Sequence, residues 1–440
     1  MTLTPGERDA VYRRNFPLFL ADFVLFTVAM NLISSTTVIP DYIRNLTDSE
    51  ILIAFSGQMF EIGWLMPQLL VARSLLRVER KKWWFVIPNI PVRTTMFIYA
   101  IIIVVAGPSH PTLLLGAFLL MYGIAAVGDG VVGVPWIDLA GSSLDDRRRA
   151  RLFGMGNALV GVLVLVAVAP VVRLILSDSG PDYPDNYALL FFLAGVIFLI
   201  TVPPMAFVRE LPGGKPREAI PPMREYLPEL AEVLRNDRPF RTMVFARVLA
   251  ALFTLAGPFY IGFATERLNM SNDVAVSNLL LMQTIGGVSG ALAYSWLGER
   301  RSLLFIRLAM VVGVAQPALA LLASALGPAP LYLAFLAAGV VGGSLGVSLI
   351  NWMIVYATDD QRPIYSGLFN TMSAVGLMAA PLIGGLLVEY VSYEMAFATA
   401  LVIMLCALIV MLRYGQDPHA AAAAQAAAAQ TATQQAEQTP

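Results

Sequence analysis

Val160-Gly161-Val162-Leu163-Val164-Leu165-Val166-Ala167-Val168 holds no polar side chain, and it continues a stretch that runs from the 150s to the mid-170s. Ile101-Ile102-Ile103-Val104-Val105-Ala106 ends another such stretch, and others recur from one end of the chain to the other. Each is long enough for a bilayer-spanning helix, which needs ~20 mostly apolar residues. Apolar residues make up 58% of the 440-residue chain and charged residues 13%, about half the usual charged share of a soluble domain. Alternation over segments of about ten residues, the mark of a membrane barrel, is absent. Lipid offers the backbone no hydrogen-bonding partner, so the spans must be helices. The fold class expected is an all-α integral membrane protein.

Twelve spans are expected, near residues 16–40, 51–74, 84–106, 111–137, 152–176, 187–208, 241–264, 274–297, 302–325, 330–356, 364–388 and 395–413. Positive charge is concentrated in every second connection: Arg77, Arg80, Lys81 and Lys82, then Arg147, Arg148, Arg149 and Arg151, then Arg300 and Arg301. Only Arg44, Arg173 and Arg267 fall at the other edge, whose connections are acidic or neutral, as in Asp178, Asp182 and Asp185. Basic loops stay in the cytoplasm, so a multi-pass protein of the inner, cytoplasmic membrane with both termini cytoplasmic is expected. Residues 1–15, with Arg8, Arg13 and Arg14, read as a retained cytoplasmic tail and not as a signal peptide. The single cysteine, Cys406, allows no internal disulfide and no zinc cluster of cysteines.

One long polar connection, 209–240, separates a first set of six spans at 16–208 from a second at 241–413. Within it Leu227, Leu230, Ala231 and Leu234 share one face of a helix with acidic neighbours, the pattern of an interfacial helix under the bundle. Residues 414–440 become an Ala/Gln low-complexity tail, frayed helix or disorder. The two halves echo each other in order and spacing. Arg14-Asn15-Phe16 matches Arg238-Pro239-Phe240; Glu79-Arg80-Lys81 matches Glu299-Arg300-Arg301; Asp145-Asp146-Arg147 matches Asp359-Asp360-Gln361-Arg362; and Pro170 matches Pro381. Repeats on the same side of the membrane imply an axis along its normal.

With those features the chain resembles the major facilitator superfamily from Asn15 to Arg413. The superfamily's charged segment between spans two and three is degenerate here: Arg73 to Lys82 lacks its glycines and carries Glu79-Arg80, and Leu297 to Arg301 forms the second copy. Asp138, Arg147, Arg151 and Arg362 complete the loop signature, and Gly376 to Gly385 resembles the eleventh span. Ala169-Pro170-Val171-Val172 departs from the fifth-span pattern of the drug antiporters. The resemblance implies two pseudo-symmetric six-helix bundles, with the first and fourth spans of each half lining a central cavity.

Ionisable groups inside spans are costly and mark function or pairing. They are Asp22, Glu61, Asp129 and Arg247. Arg93 and Asp138 read as loop ion pairs nearer the cytoplasmic face. Glu61 lies deepest and is a proton-coupling candidate, with a buried hydrogen-bonded carboxyl as the alternative. Asp129 is a second, since Gly128 and Gly130 beside it would leave room for water or ligand. Its alternative is an Asp satisfied by backbone at a helix distortion. Asp22 and Arg247 sit at matching depth in spans one and seven, and form a candidate gate. Arg247 reaching lipid headgroups, and Asp22 bonding within its own half, is the competing reading. Asn31, Gln58, Asn351 and Trp352 are substrate-cavity candidates, with Asn157, Gln283 and Asn370 as further polar span residues. Gly339, Gly342, Gly343 and Gly346 follow the small-residue spacing of helix packing.

These features point to a secondary transporter of a small organic solute, working by alternating access. Nothing resembles an ATP site, so no cofactor is expected and a gradient must drive it. Protons are the candidate coupling ion. Export of amphiphilic or cationic compounds suits acidic groups in an apolar interior; nutrient or metabolite uptake by symport is the alternative. A membrane enzyme is disfavoured, because the two histidines, His110 and His419, lie outside the spans and no nucleophile and base cluster. A non-transporting sensor, scaffold or lipid-handling protein is the rival of another class. The partners expected are the bilayer and the solute, with no nucleic acid, and the protein is expected to act as a monomer.

Overall fold

Thr4 caps the first helix: its hydroxyl accepts from the Glu7 amide, and Glu7 Oε2 accepts from the Thr4 amide at 2.8 Å. With Pro5 in the first turn this is a capping box, and the helix runs Pro5–Leu32. The tail expected at residues 1–15 is therefore helical from Pro5. The Thr-x-x-Glu spacing carried that signal, and apolar content alone placed the start too late. In the computed structural model described here, residues 4–67, 71, 80–211, 232–298, 301–357 and 362–424 are described.

Span one also stops earlier than expected. The chain turns after Leu32 and forms a separate short helix, Val38–Arg44, in which Val38 to Ile43 are buried. The second span is described as Glu50–Leu65, and its remainder lies outside the described residues. Among the described residues, eleven helices are long and apolar enough to cross a bilayer. After span one (Gly6–Leu32), these are Lys82–Ala106, Pro111–Ser143, Arg151–Leu176, Asp185–Ala206, Arg238–Arg267, Asn272–Gly298, Ser302–Leu326, Ala329–Tyr356, Leu368–Tyr390 and Tyr393–Arg413. They are spans three to twelve; with span one they make the eleven, and Glu50–Leu65 is span two. Among the described residues there is no strand. Of the expected interfacial helix, residues 232–236 are helical, and Leu227, Leu230 and Ala231 lie outside the described residues.

Local chemistry sets the irregularities. Pro170 lacks an amide hydrogen and its ring crowds the carbonyl four residues back, and span five answers with a π turn at Val164–Val168. Span seven likewise passes through a 3-10 turn at Phe253–Ala256 and a π turn at Phe263–Arg267.

The described chain sorts into two compact units. The first takes Met1–Ile220 together with Leu255–Thr284 and Pro381–Met395. The second takes Pro221–Thr254, Ile285–Ala380 and Ala396–Pro440. Call the end of the spans that carries Arg80 to Lys82 the basic end, and the opposite one the far end. The first unit then contains the far-end segments of spans seven, eight, eleven and twelve besides the first six spans.

Within the first unit span three packs along spans four and six, span one along six and five, and span two along four. Side chains staple its basic end. Asn15 Nδ2 donates to the carbonyls of Ser143 and Arg209 at 3.2 and 2.9 Å, and its Oδ1 accepts from the Arg209 amide at 3.0 Å. Glu210 accepts from the Lys81 and Lys82 amides, closing the start of span three. Asp9 pairs with Arg148 at 2.9 Å. At the far end Tyr42 is buried among Tyr99, Phe118, Tyr187 and Phe191. In the second unit spans nine and ten pack together, and small residues let spans eight and ten meet. A Cβ on Gly343 would lie 2.3 Å from the Gly287 carbonyl oxygen, and one on Gly286 2.0 Å from that of Leu336.

Candidate functional site

Span three places Arg93 on the same helical face as Asn89, one turn away, both buried. Arg93 does not reach a loop. Its Nη2 lies 3.0 Å from Asp129 Oδ1 in span four, and its guanidinium stands 4.3 Å from the Phe26 ring and 5.3 Å from that of Phe198. The loop reading failed because a short distance along the sequence from Lys82 is still about three turns into a helix. Spans one, three, four and six thus meet around one guanidinium, with two aromatic faces shielding it.

Asp22 in span one is the second carboxylate in the field of Arg93. Its Oδ2 accepts from Trp136 Nε1 at 2.7 Å, while Oδ1 is buried with no hydrogen-bond partner. Asp22, Arg93 and Asp129 are 4%, 7% and 7% exposed, so two acids and one base share a buried interior. Both amide atoms of Asn89 and the hydroxyl of Tyr122 are also buried without a hydrogen-bond partner. A cavity of about 10 Å³, room for one water, lies between Arg93, Asp129, Tyr122, Phe60 and Phe198.

Gly128 and Gly130 do not open space for a ligand beside Asp129. A Cβ on Gly128 would sit 2.3 Å from Val92, and one on Gly130 2.4 Å from the Trp64 carbonyl oxygen. They let spans two and three close on span four, which is what brings Arg93 to Asp129.

Residues 317–437 match the family model of the Major Facilitator Superfamily. Solved structures align over nearly the whole chain. The nucleoside transporter NupG superposes with a TM-score of 0.68 at 14% identity, covering 92% of this chain and 100% of its own. A bacterial homologue of the iron transporter ferroportin, in its inward-facing state, gives 0.65 at 13% identity over 91% and 98%. The human organic anion transporter MFSD10 gives 0.63 at 14% identity over 93% and 100%. This is the major facilitator fold. Among curated proteins, none matches this sequence.

Within this major facilitator fold the remaining expected site residues are scattered. Arg247 Nε donates to Ser373 Oγ at 2.9 Å, and the guanidinium lies 5.7 Å from the Phe369 ring, with Gly346 beside it. Asp22 and Arg247, expected as a gate, each have partners in their own unit. Glu61 is exposed on span two, near enough to Tyr122 for its charge to act there, and Gln58 one turn before it is buried. Asn31 donates back to the Thr27 carbonyl of its own helix at 2.8 Å. Gln283 accepts from Thr36 at 3.0 Å.

Trp352, expected beside a substrate, is fully buried. Its Nε1 donates to the Gln416 carbonyl at 2.9 Å and its ring stacks on Tyr356 at 4.8 Å, so it ties span ten to the segment after span twelve. Asn351 beside it is partly exposed. In the loop signature Arg80 and Arg151 are exposed. Glu79, Glu299 and Arg300 lie outside the described residues, as do the side chains of Asp138, Arg147 and Arg362. Sequence reading missed Asp41, Glu50, Glu266, Asn272 and Tyr393, all near helix ends at the far side. The signal available was the pairing of those acids with the one arginine, Arg44, in the first far-side connection.

Proposed function

We propose that this protein is a secondary transporter that moves a small organic solute across the cytoplasmic membrane by alternating access, coupled to protons. The observation that carries the coupling is the charge count around Arg93. Two carboxylates and one guanidinium in a buried interior leave one negative charge without a partner, and a buried unpaired charge is costly. A single proton on Asp22 or Asp129 makes the set neutral. A proton taken from one side and released to the other would be the driving ion, with Arg93 shared between the two acids as the state changes.

Glu61 has the other role in this reading. A carboxyl on a membrane helix is costly against lipid and marks function or pairing; in this reading Glu61 faces the path of the solute, where it favours a cationic or amphiphilic one. Orientation follows the basic connections: the basic end and both termini are cytoplasmic, and the far end faces outward. Export follows from a cationic solute and an inward proton gradient. The relatives by fold include transporters of nucleosides, iron and organic anions, so the fold is compatible with more than one solute class.

Reconstitution tests the coupling. Flux of a labelled organic cation into liposomes under an imposed pH gradient should depend on the gradient in the parent protein. In Asp22→Asn it should persist only as exchange. Gradient-driven flux of parent size in that variant would remove Asp22 from the coupling.

A further inference from the structure

The connection between spans one and two is not a surface loop. Its helix Val38–Arg44 is enclosed from Val38 to Ile43, and it carries two charged side chains, Asp41, which is buried, and Arg44, which is partly buried. Asp41 Oδ2 accepts from Asn272 Nδ2 at 2.8 Å and from the hydroxyl of Tyr187. Arg44 Nη2 donates to Glu50 Oε2 at 3.1 Å and to the Tyr393 hydroxyl at 3.2 Å, and its Nε lies 2.9 Å from Glu266 Oε1. Tyr393 in turn donates to Glu266 Oε2 at 3.0 Å. Under the guanidinium lies Gly262, where a Cβ would come within 2.4 Å of Nη2; only glycine lets Arg44 lie there.

The partners are distributed in a telling way. Tyr187 and Glu50 belong to the first six spans. Glu266 ends span seven, Asn272 starts span eight and Tyr393 starts span twelve. One seven-residue helix is thus bonded to three segments from the second half of the sequence. Just before it, Thr36 donates to Gln283, further along span eight, at 3.0 Å. Partly exposed ion pairs contribute little stability on their own, so their value here is directional: they hold one arrangement and lose it as a set.

We propose that helix Val38–Arg44 is the latch of the far side: Asp41 and Arg44 hold the ends of spans seven, eight and twelve, and opening requires those bonds to be exchanged for water. This rests on the transporter reading for its purpose, but the bonding stands without it. Opening would leave Asp41 with Tyr187 and Arg44 with Glu50, so the latch stays on the first half while Glu266, Asn272 and Tyr393 leave. Arg44 is the better anchor of the two, since Glu50, Glu266 and Tyr393 converge on it from three elements.

The test reads the far side directly and needs no substrate. Thr36→Cys in a Cys406→Ser background serves as reporter, and its reaction with a membrane-impermeant maleimide is followed in right-side-out vesicles. Arg44→Gln and Asn272→Ala should each raise the labelling rate about tenfold by shifting the population toward the open far side. The exchange Arg44→Glu with Glu266→Arg should bring the rate back toward the parent's. If Arg44→Gln does not fold, Asn272→Ala, which strands no charge, carries the test alone. Parent-like labelling in Asn272→Ala and in every Arg44 variant that folds, or a charge exchange that labels as fast as Arg44→Gln, would overturn the latch. Counterflow of tetraethylammonium on the same preparations is scored separately, so a failed transport reading leaves the labelling result intact.

Discussion

Arg93 Nη2 and Asp129 Oδ1 meet at 3.0 Å in the interior of the first unit, and Asp22 shares the field of the same guanidinium without a hydrogen bond to it. The arrangement is short of one positive charge, and the coupling reading follows from that shortage.

Breaking the pair from one side should be costly. Arg93→Leu strands two buried carboxylates, and removal of one member of a buried pair costs about 3–5 kcal/mol. Arg93→Leu with Asp129→Leu should recover much of that loss, because the two residues interact directly. Thermal unfolding in detergent measures both. Strictly additive losses would deny the interaction.

The two acids around Arg93 and the acid on span two should separate in function. Asp22→Asn and Asp129→Asn fix the set as neutral, so neither can release a proton, and gradient-driven flux should fall at least about tenfold while exchange survives. Glu61→Gln should keep the gradient response and weaken the apparent affinity for an organic cation. A Glu61→Gln protein that has lost the gradient response but binds normally would move the proton site to span two.

Asp41 gives a pH dependence of known sign. It lies in the connection between spans, and burial pushes its carboxyl above the ordinary range, against the hydrogen bonds from Tyr187 and Asn272 and the charge of Arg44. A carboxyl whose folded value is raised contributes stability in full below the ordinary carboxylate range, and loses it as pH climbs through the raised folded value. Stability of the parent should therefore decline relative to Asp41→Asn as pH rises from the ordinary carboxylate range through the raised value. Parallel curves for the two proteins would show that Asp41 is not linked to folding.

Gly343→Ala should damage the second unit. Its Cβ would lie 2.3 Å from the backbone oxygen of Gly287, and backbone cannot move aside as a side chain can. A loss of about 1–3 kcal/mol is expected. Gly342→Ala, where nothing lies within 4 Å, is the control and should be near neutral.

The fold was legible because lipid imposes one rule on every span: long apolar runs show in the sequence without any knowledge of contacts. Helix ends were less legible. Pro5 and the Thr4–Glu7 box lie outside the apolar run, and the break after Leu32 sits inside one, so hydropathy placed both ends of span one wrongly. Of the site, Asp22 and Asp129 stood out as acids in apolar surroundings, but their partner did not. Arg93 lies within eleven residues of a basic loop, and only the pitch of span three shows that it points to Asp129. Trp352 shows the opposite error: an aromatic beside an amide looks like a binding surface until the carbonyl of Gln416, far along the chain, is seen to take its indole. The Arg44 cluster depends on residues separated by as much as 349 positions, and no local pattern announces it.

Proton-coupled transport of an organic solute is tested most directly in liposomes that hold the purified protein and nothing else. Labelled tetraethylammonium, a nucleoside and an organic anion are offered in turn, first in counterflow against unlabelled solute and then under an imposed pH gradient. The account predicts counterflow of the cation above empty liposomes, acceleration by the pH gradient, and loss of that acceleration alone in Asp22→Asn. Cation flux no greater than that of empty liposomes, or a gradient response equal in the parent and Asp22→Asn, would contradict it.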